Sequence, residues 1–181
     1  MYGEHGKPET YSRGKAAEAK ALPILRAYFG SGQATVPGSI EDRNGTDIYV
    51  NRNGVKTSVD VKAIKKHAPA QILIEHQNVS GGPGWAHRSG IAAIFVAENE
   101  LVLVDKKYLS LLIKDPRKID WNQGATQQPR EFVENYRPYG RPENNDLVVY
   151  VPLSQVLRLL TSVHLRWNPK TQTLTEVKPN E

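Results

Sequence analysis

Apolar residues recur along this chain with two periods, and the change of period marks out its elements. Between Ser12 and Phe29, the residues Ala16, Ala17, Ala19, Ala21, Leu22, Leu25 and Tyr28 follow helical spacing and predict a helix packed on a sheet. Pro23 lies inside that run and predicts a kink or a break into two helices, and Gly30-Ser31-Gly32 ends it. Residues 1–12 are polar, contain Gly and Pro, and read as a flexible arm. Ala34-Thr35-Val36 is a short strand or loop. From about residue 46 to 63 the period falls to two, in two runs separated by Asn53-Gly54, the strongest short-range hairpin signal because both central residues of a type I′ turn need positive φ.

Further strands are predicted at 71–78 and at Ile91–Ala97, an uninterrupted apolar run that suits a strand buried on both faces. Others follow at 100–104 and at Leu147–Val151. A short helix is expected from Lys106 to Lys114 and another from Pro152 to about Val163, with a closing hairpin from His164 to Val177 that turns at Asn168-Pro169-Lys170. Between them, residues 115–146 are rich in Pro, Gly, Asn, Gln and Arg and read as one long irregular loop. The sum is a single α/β domain over 1–181 with a mixed central β-sheet flanked by helices.

The hairpin carries the chemistry. A two-residue turn at 53–54 sets residue numbers that sum to 107 opposite one another, so Asp47 faces Asp60, with Cβ atoms roughly 4.5–5.5 Å apart. Lys62 points the same way, and Ile48, Val50, Val55, Val59 and Val61 supply an apolar surface on the other face. Two facing carboxylates repel, and a divalent cation is the natural counterweight. Oxygen donors suit Mg²⁺ or Mn²⁺. Asp47 and Asp60 are the candidate ligands, with the carbonyl of Val61 as a further one, and Lys62 is placed to orient a water or to meet developing charge on a phosphoryl group.

With Asp47 near the start of one strand and Asp60-x-Lys62 at the end of the next, the chain resembles the PD-(D/E)XK nuclease superfamily. Glu18, in Arg13-Gly14-x-x-x-Glu18, matches the glutamate that members commonly add from the preceding helix, in a spacing similar to that of archaeal Holliday-junction resolvases. The resemblance covers roughly residues 12–104. It departs at Thr46, where the motif's proline would stand, and at Asp60, where glutamate is commoner. It implies a restriction-endonuclease-like core, hydrolysis of DNA phosphodiesters with Mg²⁺ or Mn²⁺, metal or water binding by Glu18, and possible selectivity for junctions or flaps by a homodimer.

Other residues are candidates for supporting roles. Glu75 and Gln77 share a face of the 71–78 strand, and if that strand lay beside the hairpin Gln77 could act as an accessory catalytic group. Trp85, His87 and Arg88 sit in a glycine-rich loop suited to stacking on a base and touching phosphate, although Trp85 suits a core plug equally well. Arg130, Arg137 and Arg141, interleaved with Tyr136 and Tyr139, suit nucleic-acid contacts or a dimer arm.

Composition narrows the classes. A net charge of +5 favours a polyanionic partner, DNA ahead of RNA, without demanding one. Zero cysteines excludes disulfides, thiolate metal sites and cysteine nucleophiles. No apolar run approaches membrane-spanning length and the start lacks the pattern of a signal peptide, so a cytoplasmic enzyme without a membrane partner is expected. Its small size and departures from the common motif suit a phage-like enzyme. The competing class is a non-catalytic nucleic-acid-binding protein that retains a nuclease fold.

Overall fold

The computed structural model describes residues 8–38, 46–63, 71–121, 135–140 and 145–178. The chain is mixed α/β and divides into two compact units. One comprises 1–64, 91–103 and 164–181, and the other 65–90 and 104–163.

The first unit is built on helix α1 (Pro8–Phe29) and seven strands: β1 (Ala34–Thr35), β2 (Ile48–Arg52), β3 (Val55–Lys62), β5 (Ile91–Ala97), β6 (Glu100–Asp105), β9 (Val163–Asn168) and β10 (Thr173–Glu176). They form one sheet in the order β1-β2-β3-β5-β6-β9-β10. It is mixed, because β2 is antiparallel to β1 and β3 while β3 runs parallel to β5. The helix opens at Pro8, inside the span expected to be an arm; proline suits a first turn because its N–H would be unpaired there anyway. It continues through Pro23 as one element rather than two. Pro23 is exposed, so the bond it cannot donate is replaced by water at least cost. Gly30 closes the helix at φ 109°, its N–H donating to the Arg26 carbonyl at 2.9 Å. Ala17, Ala21, Ile24 and Leu25 are buried at helical spacing, and the helix packs on β1, β2 and β3.

The hairpin turn has the conformation its sequence demands, with Asn53 at φ 53° and Gly54 at φ 80°. Its register pairs Arg52 with Val55, Val50 with Thr57 and Ile48 with Val59, as the turn requires. Ile48, Val50, Val59 and Val61 are buried, whereas Val55 is 64 % exposed because it lies beside the turn, beyond the reach of the core. Residues Ile91–Phe95 of β5 are all buried, as an unbroken apolar run requires.

The second unit holds a three-stranded antiparallel sheet in the order β4-β8-β7, from β4 (Gln71–Gln77), β7 (Pro138–Gly140) and β8 (Leu147–Pro152). Its helices are α2 (Lys106–Lys114) and the short α3 (Leu153–Leu157). A second sheet, and a strand at 138–140 within the stretch read as an irregular loop, are not evident from periodicity. A three-residue strand is too short to show alternation, and partner strands far apart in sequence leave no local signal. The final helix stops at Leu157 instead of continuing to about Val163, and Leu160, beyond its end, is 89 % exposed. Helix α2 starts where Asp105 caps it, accepting from the Lys107 N–H at 2.8 Å, and buries Leu109, Leu112 and Ile113. Among the described residues no helix is long and apolar enough to cross a membrane.

Candidate functional site

The hairpin ladder ends one residue before the facing aspartates, and that termination builds the site. The Asp47 N–H donates to the Val59 carbonyl at 3.2 Å, so Asp47 does not continue the register that pairs Ile48 with Val59. Its side chain instead takes over the pairing of β3: Oδ2 accepts from the Val61 N–H at 2.7 Å. A strand residue's N–H and C=O point to the same edge, so the Val61 carbonyl is directed to the side where Asp47 lies. Asp47 thus acts as a clamp across the two strands.

Asp60 is 3 % exposed. Its strand lies between β2 and β5, and its neighbour in the parallel register is Ala92, with Ile94 beside Lys62. A buried carboxylate in the middle of a sheet is costly unless its surroundings compensate, so Asp60 is not a charge on a solvated strand face. On the preceding part of the same strand, Lys56 sits over the Tyr49 ring at 3.8 Å.

Glu18 comes to this site from α1. Its carboxylate meets the Lys15 ammonium at 2.9 Å, one helical turn away. The carboxyl of Asp47 is pushed up to about 6, chiefly by burial; the Val61 hydrogen bond and the Lys62 charge oppose this, and the Glu18 and Asp60 charges reinforce it. Asp47, Asp60, Lys62 and Glu18 therefore share one electrostatic environment within the first unit. Lys15 was not singled out in the sequence, although Lys15-x-x-Glu18 is a recognisable helical pair.

A divalent cation fits this donor set in a particular way. Among the described residues no three His, Asp or Glu side chains converge closely enough to form a metal cage. Two carboxylates and a carbonyl, with water completing the shell, match the manner in which Mg²⁺ is usually held. A carboxyl whose charge is held at such a cost is stabilised by any cation that replaces its proton.

The remaining candidates lie elsewhere. Gln77 and Glu75 are on β4, whose partner is β8, while the strand that follows the hairpin in the first sheet is β5; the expectation of β4 beside the hairpin is not met. Gln77 donates to the Asn145 carbonyl, and Glu75 accepts from the Trp85 N–H at 3.2 Å. Trp85 is 8 % exposed in a 3₁₀ turn, Trp85–His87, so of its two readings the core plug holds, and its ring is not presented for base stacking. His87 is half-buried against His76 and Ser110, and Arg88 is exposed. Arg137 is half-exposed just ahead of β7, with Tyr136 held at φ 63° and Tyr139 buried. Arg130 and Arg141 lie outside the described residues, as does the basic break at Lys65–Pro69.

Comparison of the chain with protein-family models, curated proteins and solved structures returns no match. The functional reading therefore stands on these residues and their geometry.

Proposed function

We propose that this chain is a divalent-cation-dependent nuclease that hydrolyses DNA phosphodiester bonds, with a restriction-endonuclease-like core in its first unit. The observation that carries the reading is the joint electrostatic environment of Glu18, Asp47, Asp60 and Lys62 at the open end of the β2–β3 hairpin. A helix packed on that hairpin, followed in the sheet by a parallel strand, supports the same assignment.

Asp47, Asp60 and the Val61 carbonyl are the groups that would hold Mg²⁺ or Mn²⁺, with Glu18 as a water-positioning base. When bound, such a cation supplies Lewis acidity and a water of lowered pKa. Asp47 is fixed in place by the Val61 N–H, so its second oxygen is pre-oriented. Lys62 lowers the cost of negative charge at Asp47 and offers the same positive potential to a phosphate. Glu18 must exchange its contact with Lys15 to serve the site, and that exchange is small because the pair is part-exposed.

Purified protein offered linear, nicked, flapped and four-way DNA should cleave at least one form with Mg²⁺ or Mn²⁺ and none in EDTA. Lys62→Ala should lower cleavage on the order of a hundred-fold with the fold intact. Undiminished cleavage by a folded Lys62→Ala protein would refute the mechanism. Salt-sensitive DNA binding without cleavage under every metal condition would select the non-catalytic alternative.

A further inference from the structure

Strand β4 buries Ile72 and Ile74 at alternate positions, and the next residue on that face is His76 rather than another apolar one. The His76 ring stacks on Trp121, centroids 4.0 Å apart and planes 18° from parallel, and the Trp121 indole N–H donates to the Ile113 carbonyl at 2.9 Å. His76 Nδ1 lies 2.9 Å from His87 Nε2, the rings nearly perpendicular. His87 is placed by its short turn, which is tied to β4 through the Gly84 N–H donating to the His76 carbonyl at 2.9 Å. On its far side His87 Nδ1 is 3.0 Å from Ser110 Oγ on α2. Lys114, one helical turn beyond Ser110, ends the same helix. All of these groups belong to the second unit.

We propose that Ser110, His87 and His76 form a second chemical site, in which an activated serine attacks the carbonyl carbon of a carboxylic ester. The contacts fit the pattern of a nucleophile, a base within hydrogen-bond reach, and a third group that orients the base. Both contacts are satisfied with the serine as donor: the Ser110 hydroxyl donates to His87 Nδ1, His87 Nε2–H donates to His76 Nδ1, and the remaining proton of His76 is on its Nε2. The opposite tautomers satisfy the same contacts, and the first set is the one that arms the serine. Both imidazoles are held below their usual pKa, chiefly by burial and further by Lys114, with His76 adding to the effect on His87. They are therefore neutral at pH 7, which leaves His87 Nδ1 free to accept a proton. Among the described residues, Lys114 is the charged side chain outside the pair that acts on it.

In the first half-reaction Ser110 Oγ bonds to the carbonyl carbon as its proton passes to His87 Nδ1. The C–O bond to the alcohol then breaks, and the departing oxygen takes that proton. The products are a free alcohol and acyl-Ser110. In the second half-reaction water attacks the acyl carbon, His87 takes its proton, and the return of that proton to Ser110 Oγ releases the carboxylic acid. Lys114 supplies positive potential for the oxyanion in both halves. His76 acts through His87 as a positioning residue. The site is independent of the carboxylates of the first unit and of any metal.

The test treats the full chain in EDTA with a fluorophosphonate probe and with p-nitrophenyl acetate, and maps the modified residue by peptide mass. The expected result is label on Ser110, with ester hydrolysis lost in Ser110→Ala. His87→Gln should slow labelling by about a hundred-fold. His76→Phe keeps the stacking surface but has no acceptor for His87, so it should slow labelling and move the acid limb of the pH profile. His76→Asn, whose carbonyl can accept that proton, should recover part of the rate. The proposal is overturned if folded protein carries no label on Ser110, if His87→Gln labels at the rate of the parent, or if His76→Phe leaves the pH profile unmoved.

Discussion

The two units of this chain handle buried polarity in opposite ways. The first places carboxylates within a sheet: Asp60 is nearly inaccessible, and Asp47 is held by a backbone N–H while burial raises its pKa to about 6. The second places imidazoles between a strand, a turn and a helix, where burial lowers their affinity for protons. Their charges differ as well. The segments of the first unit carry 12 Lys and Arg against 11 Asp and Glu, those of the second 12 against 8. The basic excess thus lies mainly outside the unit that holds the candidate carboxylate site. In the nuclease reading, long-range attraction for a polyanion is carried largely by one unit and the bond-breaking groups by the other.

The sharpest way to break the comparison is through backbone contact in one unit only. A Cβ at Gly84 would lie 2.1 Å from the Glu75 carbonyl oxygen, a contact with rigid backbone. Gly84→Ala should destabilise the second unit by about 3 kcal/mol and collapse amide-exchange protection in β4, with β2 and β3 much less affected. Next in size is Asp47→Asn, which removes a charge whose ionisation opposes folding while keeping an acceptor for the Val61 N–H. It should stabilise the metal-free protein at pH 8 by about 2 kcal/mol in denaturant titrations and abolish cation binding at the proposed site.

Acid should act on the units in opposite senses. Asp47 binds its proton more tightly in the folded state than at the usual 3.8, so its favourable contribution is complete below pH 3.8 and is lost as pH rises through about 6. His76 and His87 bind protons less tightly than at the usual 6.5, so their contribution is complete above that value and is lost as pH falls below it. Between pH 7.5 and 5, protection factors in β2 and β3 should rise while those in β4 and α2 fall; a shift of the same sign in both would remove the distinction. Smaller again is Gly14→Ala. No neighbour lies within 4 Å of the added methyl in α1, and the helix should gain up to about 1 kcal/mol, read as a higher Tm. Val55→Thr, beside the hairpin turn, should change stability by less than about 0.5 kcal/mol.

The hairpin was legible because its turn is local: Asn53-Gly54 dictates the register from Arg52–Val55 to Ile48–Val59, and strand alternation sets Asp60 and Lys62 on one face of β3. The helix bearing Glu18 was legible from its period, though Pro8 and Pro23 misled at its start and middle, since proline is tolerated in a first turn and on an exposed side. The clamp of Asp47 on Val61 was not legible, because it depends on where pairing stops. The second sheet and the His76–His87–Ser110 chain were not legible either. Their paired members lie 7 to 81 residues apart, and β4 and the histidines find their partners only when β8 returns to β4 and α2 packs against the 3₁₀ turn.

Periodicity and turn chemistry, which act over a few residues, are enough to determine the α/β character, the hairpin register and the face of β3 on which Asp60 and Lys62 stand. Tertiary structure alone decided which carboxylates are buried, what holds Asp47, and that Trp85 is buried while His87 meets Ser110 and His76. Burial and long-range pairing depend on the segments that close over a residue, and no local pattern encodes which segments those are.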